Sequence, residues 1–162
     1  MALEEAKRLL EQVTPLRTDC GRVCGGACCR SLAGEETGML LFPGEEAAYT
    51  SLPGWTLRDT PAGTLAICPG TCDRALRPLA CRLFPLLPLL RADGVHVAMD
   101  ARARAVCPLA RQGLSVLDGE FVAAVRQAGE ALAADAPQVA MLRRLTEGQD
   151  EWAALRRRLR EA

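Results

Sequence analysis

Apolar residues open the chain at helical spacing. Leu3, Ala6, Leu9, Leu10 and Val13 recur with Glu, Lys and Arg between them, which predicts an amphipathic helix. It should end near Thr14-Pro15, because proline disfavours helical backbone in the residue before it. The periodicity then gives way to short runs. Met39–Phe42 reads as a strand, and Glu45–Ser51 as a short helix closed by Pro53-Gly54. Trp55–Asp59 and Thr64–Cys68 read as strands flanking a Thr-Pro-Ala-Gly turn, and Leu79–Phe84 as a helical turn among prolines. Leu89–Ala92 and Val95–Asp100 form an expected hairpin around Asp93-Gly94, a pair suited to the positive φ of tight turns. That register sets Ala92 opposite Val95, Leu90 opposite Val97 and Arg91 opposite His96. From Asp118, a candidate N-cap, helical spacing returns through Phe121, Val122, Val125, Ala128 and Leu132. A second helix is expected near Pro137, with Val139, Leu142 and Leu145 on a stripe. A third is expected near Asp150, carrying Trp152, Leu155 and Leu159.

These elements predict an α+β fold: small strands and loops around a cysteine-ligated metal centre, then a C-terminal helical segment. The 162 residues suit a single domain, with a cysteine-cluster core over 18–110 and a helical extension over 116–162. A chain of this length does not need disulfides to hold a core. Net charge is zero and aromatic residues are few, which argues against a nucleic-acid partner. No run approaches the apolar length of a membrane span. The first residues lack the apolar stretch and cleavage signal of a secreted protein, so a cytoplasmic location is expected.

Cysteine changes this picture most. Cys20, Cys24, Cys28 and Cys29 lie within ten residues, with the spacing C-x3-C-x3-C-C, and Gly21, Gly25 and Gly26 among them let the backbone bend. Cys68, Cys72 and Cys81 follow as C-x3-C-x8-C, and Cys107 stands alone. In a reducing compartment such clusters bind metal or carry redox chemistry more often than they form structural bridges. Four thiolates close a zinc site or an iron–sulfur cluster, so eight suffice for two closed sites, or for one with others partly filled. Five arginines, Arg22, Arg30, Arg74, Arg77 and Arg82, are interleaved with the thiols and would offset thiolate charge. The adjacent Cys28 and Cys29 need not serve the same ion, because consecutive side chains usually diverge. Regulatory disulfides and plain buried cysteines are the competing readings.

"CGGACC" followed by an acidic stretch, then "RPLACRLFP" and a trailing Cys-Pro, resembles the YkgJ-type cysteine-cluster family over roughly residues 18–110. The resemblance implies a zinc- or iron-chelating domain. It also implies that Cys20, Cys24, Cys28, Cys29, Cys68, Cys72, Cys81 and Cys107 are the chelating set.

Other candidates are weaker. His96 reads as a surface residue, and Asp19, Asp73 and Asp100 as turn or capping groups. Glu35-Glu36 and Glu45-Glu46 read as solvated faces or helix N-terminal charge. No phosphate loop or G-x-S-x-G context is present. The C-terminal arginine run is expected to point outward while Trp152 and Leu155 pack on the core. The leading expectation is a metal-binding protein for zinc or iron, an iron–sulfur cluster included. An iron-dependent enzyme with an open coordination position and a thiol redox sensor are the alternatives.

Overall fold

The computed structural model describes residues 1–30 and 38–162; the pair Glu35-Glu36 lies outside the described residues. Helix α1 (Ala2–Leu9) buries Leu3 and Ala6, and Leu10 follows it into the core. The helix stops well short of the expected Thr14-Pro15 boundary. The reason lies downstream: Arg74 takes the carbonyls of Glu11 (Nε, 3.2 Å) and Val13 (Nη2, 2.6 Å), which a continuing helix would have used internally.

Helix α2 (Cys20–Cys24) is capped by Asp19, whose Oδ1 accepts from Gly21 N. A 3-10 turn, Ala27–Cys29, follows a reversal at Gly25 and Gly26, with φ of 64° and 69°. Two consecutive left-handed residues are tolerable only because both are glycine. Strands β1 (Gly38–Leu40), β2 (Thr56–Thr60) and β3 (Gly63–Ile67) form an antiparallel sheet in the order β1-β3-β2. Helix α3 (Glu46–Tyr49) packs beside it, so that Leu41, Tyr49 and Ala66 make a small core with Trp55 and Leu57.

Helix α4 (Leu79–Leu83) leads into the hairpin of β4 (Leu86–Arg91) and β5 (Gly94–Met99). Its register differs from the expected one by two residues. Arg91 pairs with Gly94, Leu90 with Val95 and Pro88 with Val97, so Ala92-Asp93 form the turn. A shift of two keeps every side chain on its face. The ladder therefore follows the burial of Leu86, Leu87 and Leu89 rather than the Asp-Gly signal. Arg91 and His96 are not opposite each other. Arg91 makes a bidentate ion pair with Asp150 (2.6 and 2.8 Å), and His96 meets Asp93 at 2.9 Å, both at the surface.

Helix α5 (Ala103–Val106) precedes the buried Cys107. Helix α6 (Gly119–Leu132) starts at Asp118, which caps Glu120 N as the sequence suggests, and buries Phe121, Val125, Ala128 and Leu132 against α1 and the hairpin. The two helices expected after Pro137 are one, α7 (Ala136–Glu161). No cap interrupts it: the Asp150 carboxylate is turned to Arg91, and Gln149 clamps the hairpin end through Met99 O and Ala101 N. Its first half buries Met141, Leu142 and Thr146. Beyond Asp150 the apolar stripe does not pack on the core, and Trp152, Leu155 and Leu159 are 49%, 46% and 70% exposed. No helix among the described residues is long and apolar enough to cross a membrane.

Candidate metal centre

Four separate segments deliver the thiols. The Gly25-Gly26 reversal folds the turn Ala27–Cys29 back beside α2, so Cys28 and Cys29 return toward Cys20 and Cys24. Strand β3 ends at Ile67 and hands Cys68 to the loop that carries Cys72. That loop lies on Cys29: a Cβ at Gly70 would stand 3.7 Å from the Cys29 carbonyl oxygen. Helix α4 fixes Cys81. Leu79 and Leu83 are fully buried one turn apart, so Cys81, two residues from each, projects from the opposite side of the helix. Helix α5 packs on the turn Ala27–Cys29 and is followed directly by Cys107.

Early and late thiols therefore lie within electrostatic range of one another. Cys20 lies within electrostatic reach of Cys24 and Cys107, and Cys28 within reach of Cys29, Cys20 and Cys24. Cys81 is acted on most by Cys72, Cys29 and Cys68, and Cys72 by Cys29 and Cys68. The thiols of Cys28 and Cys29 are 3.9 Å apart, close to the ~3.8 Å edge of a tetrahedral tetrathiolate site with bonds of about 2.3 Å. Among the described residues, no three His, Cys, Asp or Glu side chains stand together tightly enough to enclose an ion. All eight cysteines are free thiols; Cys107 is buried, Cys28 is exposed and the other six are half-buried.

Their acidities are unequal. Burial pushes Cys81 well above the ordinary thiol range, and also raises Cys20 and Cys72. Cys29 moves the other way, down to about 6, because Cys28 donates a hydrogen bond to it and Arg77 stands nearby. Cys28 is raised correspondingly, since it keeps the proton it donates.

Of the five interleaved arginines, Arg77 is the one placed among the sulfurs: it hydrogen-bonds Cys72 and lies near Cys29 and Cys20. Arg30, Arg74 and Arg82 spend donors on backbone carbonyls, and Arg22 is exposed. Asp19 and Asp73 cap short helices, and the buried Asp100 binds Arg102 through its backbone N–H and side chain.

Glu45 departs from expectation. It is 1% exposed rather than solvated, and accepts from Phe42 N and Leu79 N (2.9 Å each) while pairing with Lys7 at 3.2 Å. Through Leu79 it locks the start of α4, and hence Cys81. Only its partner Glu46 behaves as helix N-terminal charge, accepting from Gly44 N.

Sequence reasoning did not single out Tyr49. Its hydroxyl donates to Leu76 O (2.9 Å), and it sits near Cys81 and Cys72. Burial, with Glu45 and Cys81 behind it, holds the phenol above its usual range. Nothing in a lone tyrosine on a short helix signals such a neighbourhood. Tyr49 and Arg77, with Lys7, Arg8, Arg82, Glu4 and Glu11, line an open cleft of about 360 Å³ that no cysteine lines.

The donor set fits a thiophilic ion. The sulfurs are soft donors, seven of the eight are at least half-buried, and a guanidinium is at hand to offset thiolate charge. No family model, curated protein or solved structure matches the chain.

Proposed function

We propose that the protein is a metal-binding cysteine-cluster protein of the YkgJ type, holding zinc or iron through Cys20, Cys24, Cys28, Cys29, Cys68, Cys72, Cys81 and Cys107. The observation that carries this reading is that thiols from segments as far apart in sequence as Cys20 and Cys107 come within electrostatic range of each other. Thiols that titrate to thiolates at such density repel one another, and a bound cation removes that cost. The ion would then tie α2, the Cys68–Cys72 loop, α4 and α5 into one unit.

The cleft beside Arg77 and Tyr49 favours a second reading, in which an iron or iron–sulfur centre keeps an open position for a small molecule. Anaerobic purification followed by metal and acid-labile sulfide quantification, with an absorption spectrum, separates the readings. Stoichiometric zinc and a colourless solution support a closed structural or storage centre. Iron with labile sulfide and a brown solution support the second reading. A protein that is metal-free, refuses added zinc and ferrous iron, and changes disulfides with reductant overturns both in favour of a thiol sensor.

A further inference from the structure

Beyond Asp150, helix α7 leaves the core. Of residues 151–162 only Ala154 and Arg156 are half-buried and the rest are exposed, so about three turns of helix project into solvent. This part keeps an apolar stripe. Trp152, Leu155 and Leu159 follow one another at intervals of three and four, and Gly148 extends the line by a turn, with open space where a side chain would stand. The charges are ordered too. Glu147, Asp150 and Glu151 come first, Arg156, Arg157, Arg158 and Arg160 follow, and Glu161 brings the two signs to equal number. The pattern inverts about the midpoint between Ala153 and Ala154. Counting outward from there, Trp152 matches Leu155, Glu151 matches Arg156, Asp150 matches Arg157, Gly148 matches Leu159 and Glu147 matches Arg160. Each acid before the midpoint falls level with a base, and the gap in the stripe falls level with a leucine. A surface complementary to its own inverted copy is what a two-fold axis requires.

We propose that the projecting half of α7 is a docking surface for a second copy of this chain. The two segments pack antiparallel, Trp152 of one copy against Leu155 of the other and Gly148 against Leu159. At this register Glu151 and Arg158 flank the same edge of the seam, so the axis generates two Glu151–Arg158 ion pairs between copies. Asp150 lies on the outer side, where Arg91 of its own chain already holds it. A parallel pair would instead set each arginine level with its own copy. An anionic bilayer is a poorer match, because helices that lie on such surfaces carry an excess of Lys and Arg, and here the charges cancel. The seam is short, so the association belongs to the weak, reversible class.

Sedimentation velocity of the full, reduced chain from about 10 µM to about 1 mM tests this. The sedimentation coefficient should rise with concentration toward that of a dimer. Leu155→Glu, at an exposed position, should keep the fold by circular dichroism and stay monomeric. Arg158→Glu should weaken association by about tenfold or more, because two attractions become two repulsions, and Glu151→Arg should do the same. Combining both exchanges in one chain should restore the wild-type dissociation constant. An equimolar mixture of the two single variants should associate more tightly than either alone. A chain that stays monomeric throughout overturns the proposal, and binding of that monomer to phosphatidylserine vesicles would assign the face to a membrane instead. Association that survives Leu155→Glu places the contact elsewhere, and a double exchange that fails to restore pairing removes the antiparallel register; either overturns it.

Discussion

Cys29 shows how much a single neighbour changes a thiol. Its hydrogen bond from Cys28, reinforced by Arg77, keeps it mostly thiolate at neutral pH, while Cys28 is held as a thiol. In reduced, metal-free protein, Cys29 should therefore be the first cysteine alkylated by iodoacetamide at pH 7. Its rate should fall as pH drops through about 6, where the thiolate is protonated. Cys28→Ala removes the donor, so the inflection should climb toward the ordinary thiol value of ~8.5; peptide mapping of alkylation rates against pH checks both. A profile for Cys29 centred in the ordinary range in the wild type contradicts the hydrogen-bond account. The sequence made the cysteines visible as candidates, because their density is unusual. It did not rank them. The ranking comes from the burial of Cys81 and from Cys28 and Arg77 beside Cys29, which the cysteine spacing does not encode.

Element boundaries were legible where a local signal was strong and went astray where a distant partner overrode it. The Asp118 cap, the paired strands β2 and β3 and the short α4 lie close to where the sequence puts them. Helix α1 ends early because Arg74 claims its trailing carbonyls. Helix α7 runs through Gly148 and Asp150 because the hairpin, not a cap, uses Gln149 and Asp150. Two helical glycines give a paired test. At Gly129 a Cβ would stand 2.6 Å from Pro88 Cβ and 2.7 Å from Val95 Cγ1, so Gly129→Ala forces α6 off the hairpin. Overpacking of about 1–3 kcal/mol should outweigh a helix-propensity gain of up to ~1 kcal/mol, and the variant should be destabilised. At Gly148 nothing lies within 4 Å, so Gly148→Ala keeps only the gain and should stabilise by ~0.5–1 kcal/mol. Urea denaturation midpoints for the two variants should move in opposite directions. Equal shifts would mean that the close approach at Gly129 is not felt.

At the scale of the whole molecule, two cores accompany a small buried cluster of Ala103, Cys107 and Ala110. The larger one joins α1, α6, the hairpin and the first half of α7, so the region read as a helical extension supplies much of the protein's buried apolar surface. The smaller one lies on the three-stranded sheet around Tyr49 and Trp55. The α+β class was legible because periodicities near 2 and 3.6 occupy different parts of the chain. How close the cysteines come was not legible, since it depends on how β3, α4 and α5 are aimed.

The smaller core also carries a built-in reporter. The rings of Trp55 and Tyr49 are 4.8 Å apart, and Tyr49 adjoins Cys72 and Cys81, whereas Trp152 lies half-exposed on the far part of α7. Intrinsic fluorescence should thus contain one indole that senses the state of the sulfurs and one that does not. Stripping the proposed ion with a chelator should change the emission of the wild type and of Trp152→Phe alike, and leave Trp55→Phe nearly silent. A spectral response that survives in Trp55→Phe would place the sensing indole at the wrong end of the protein.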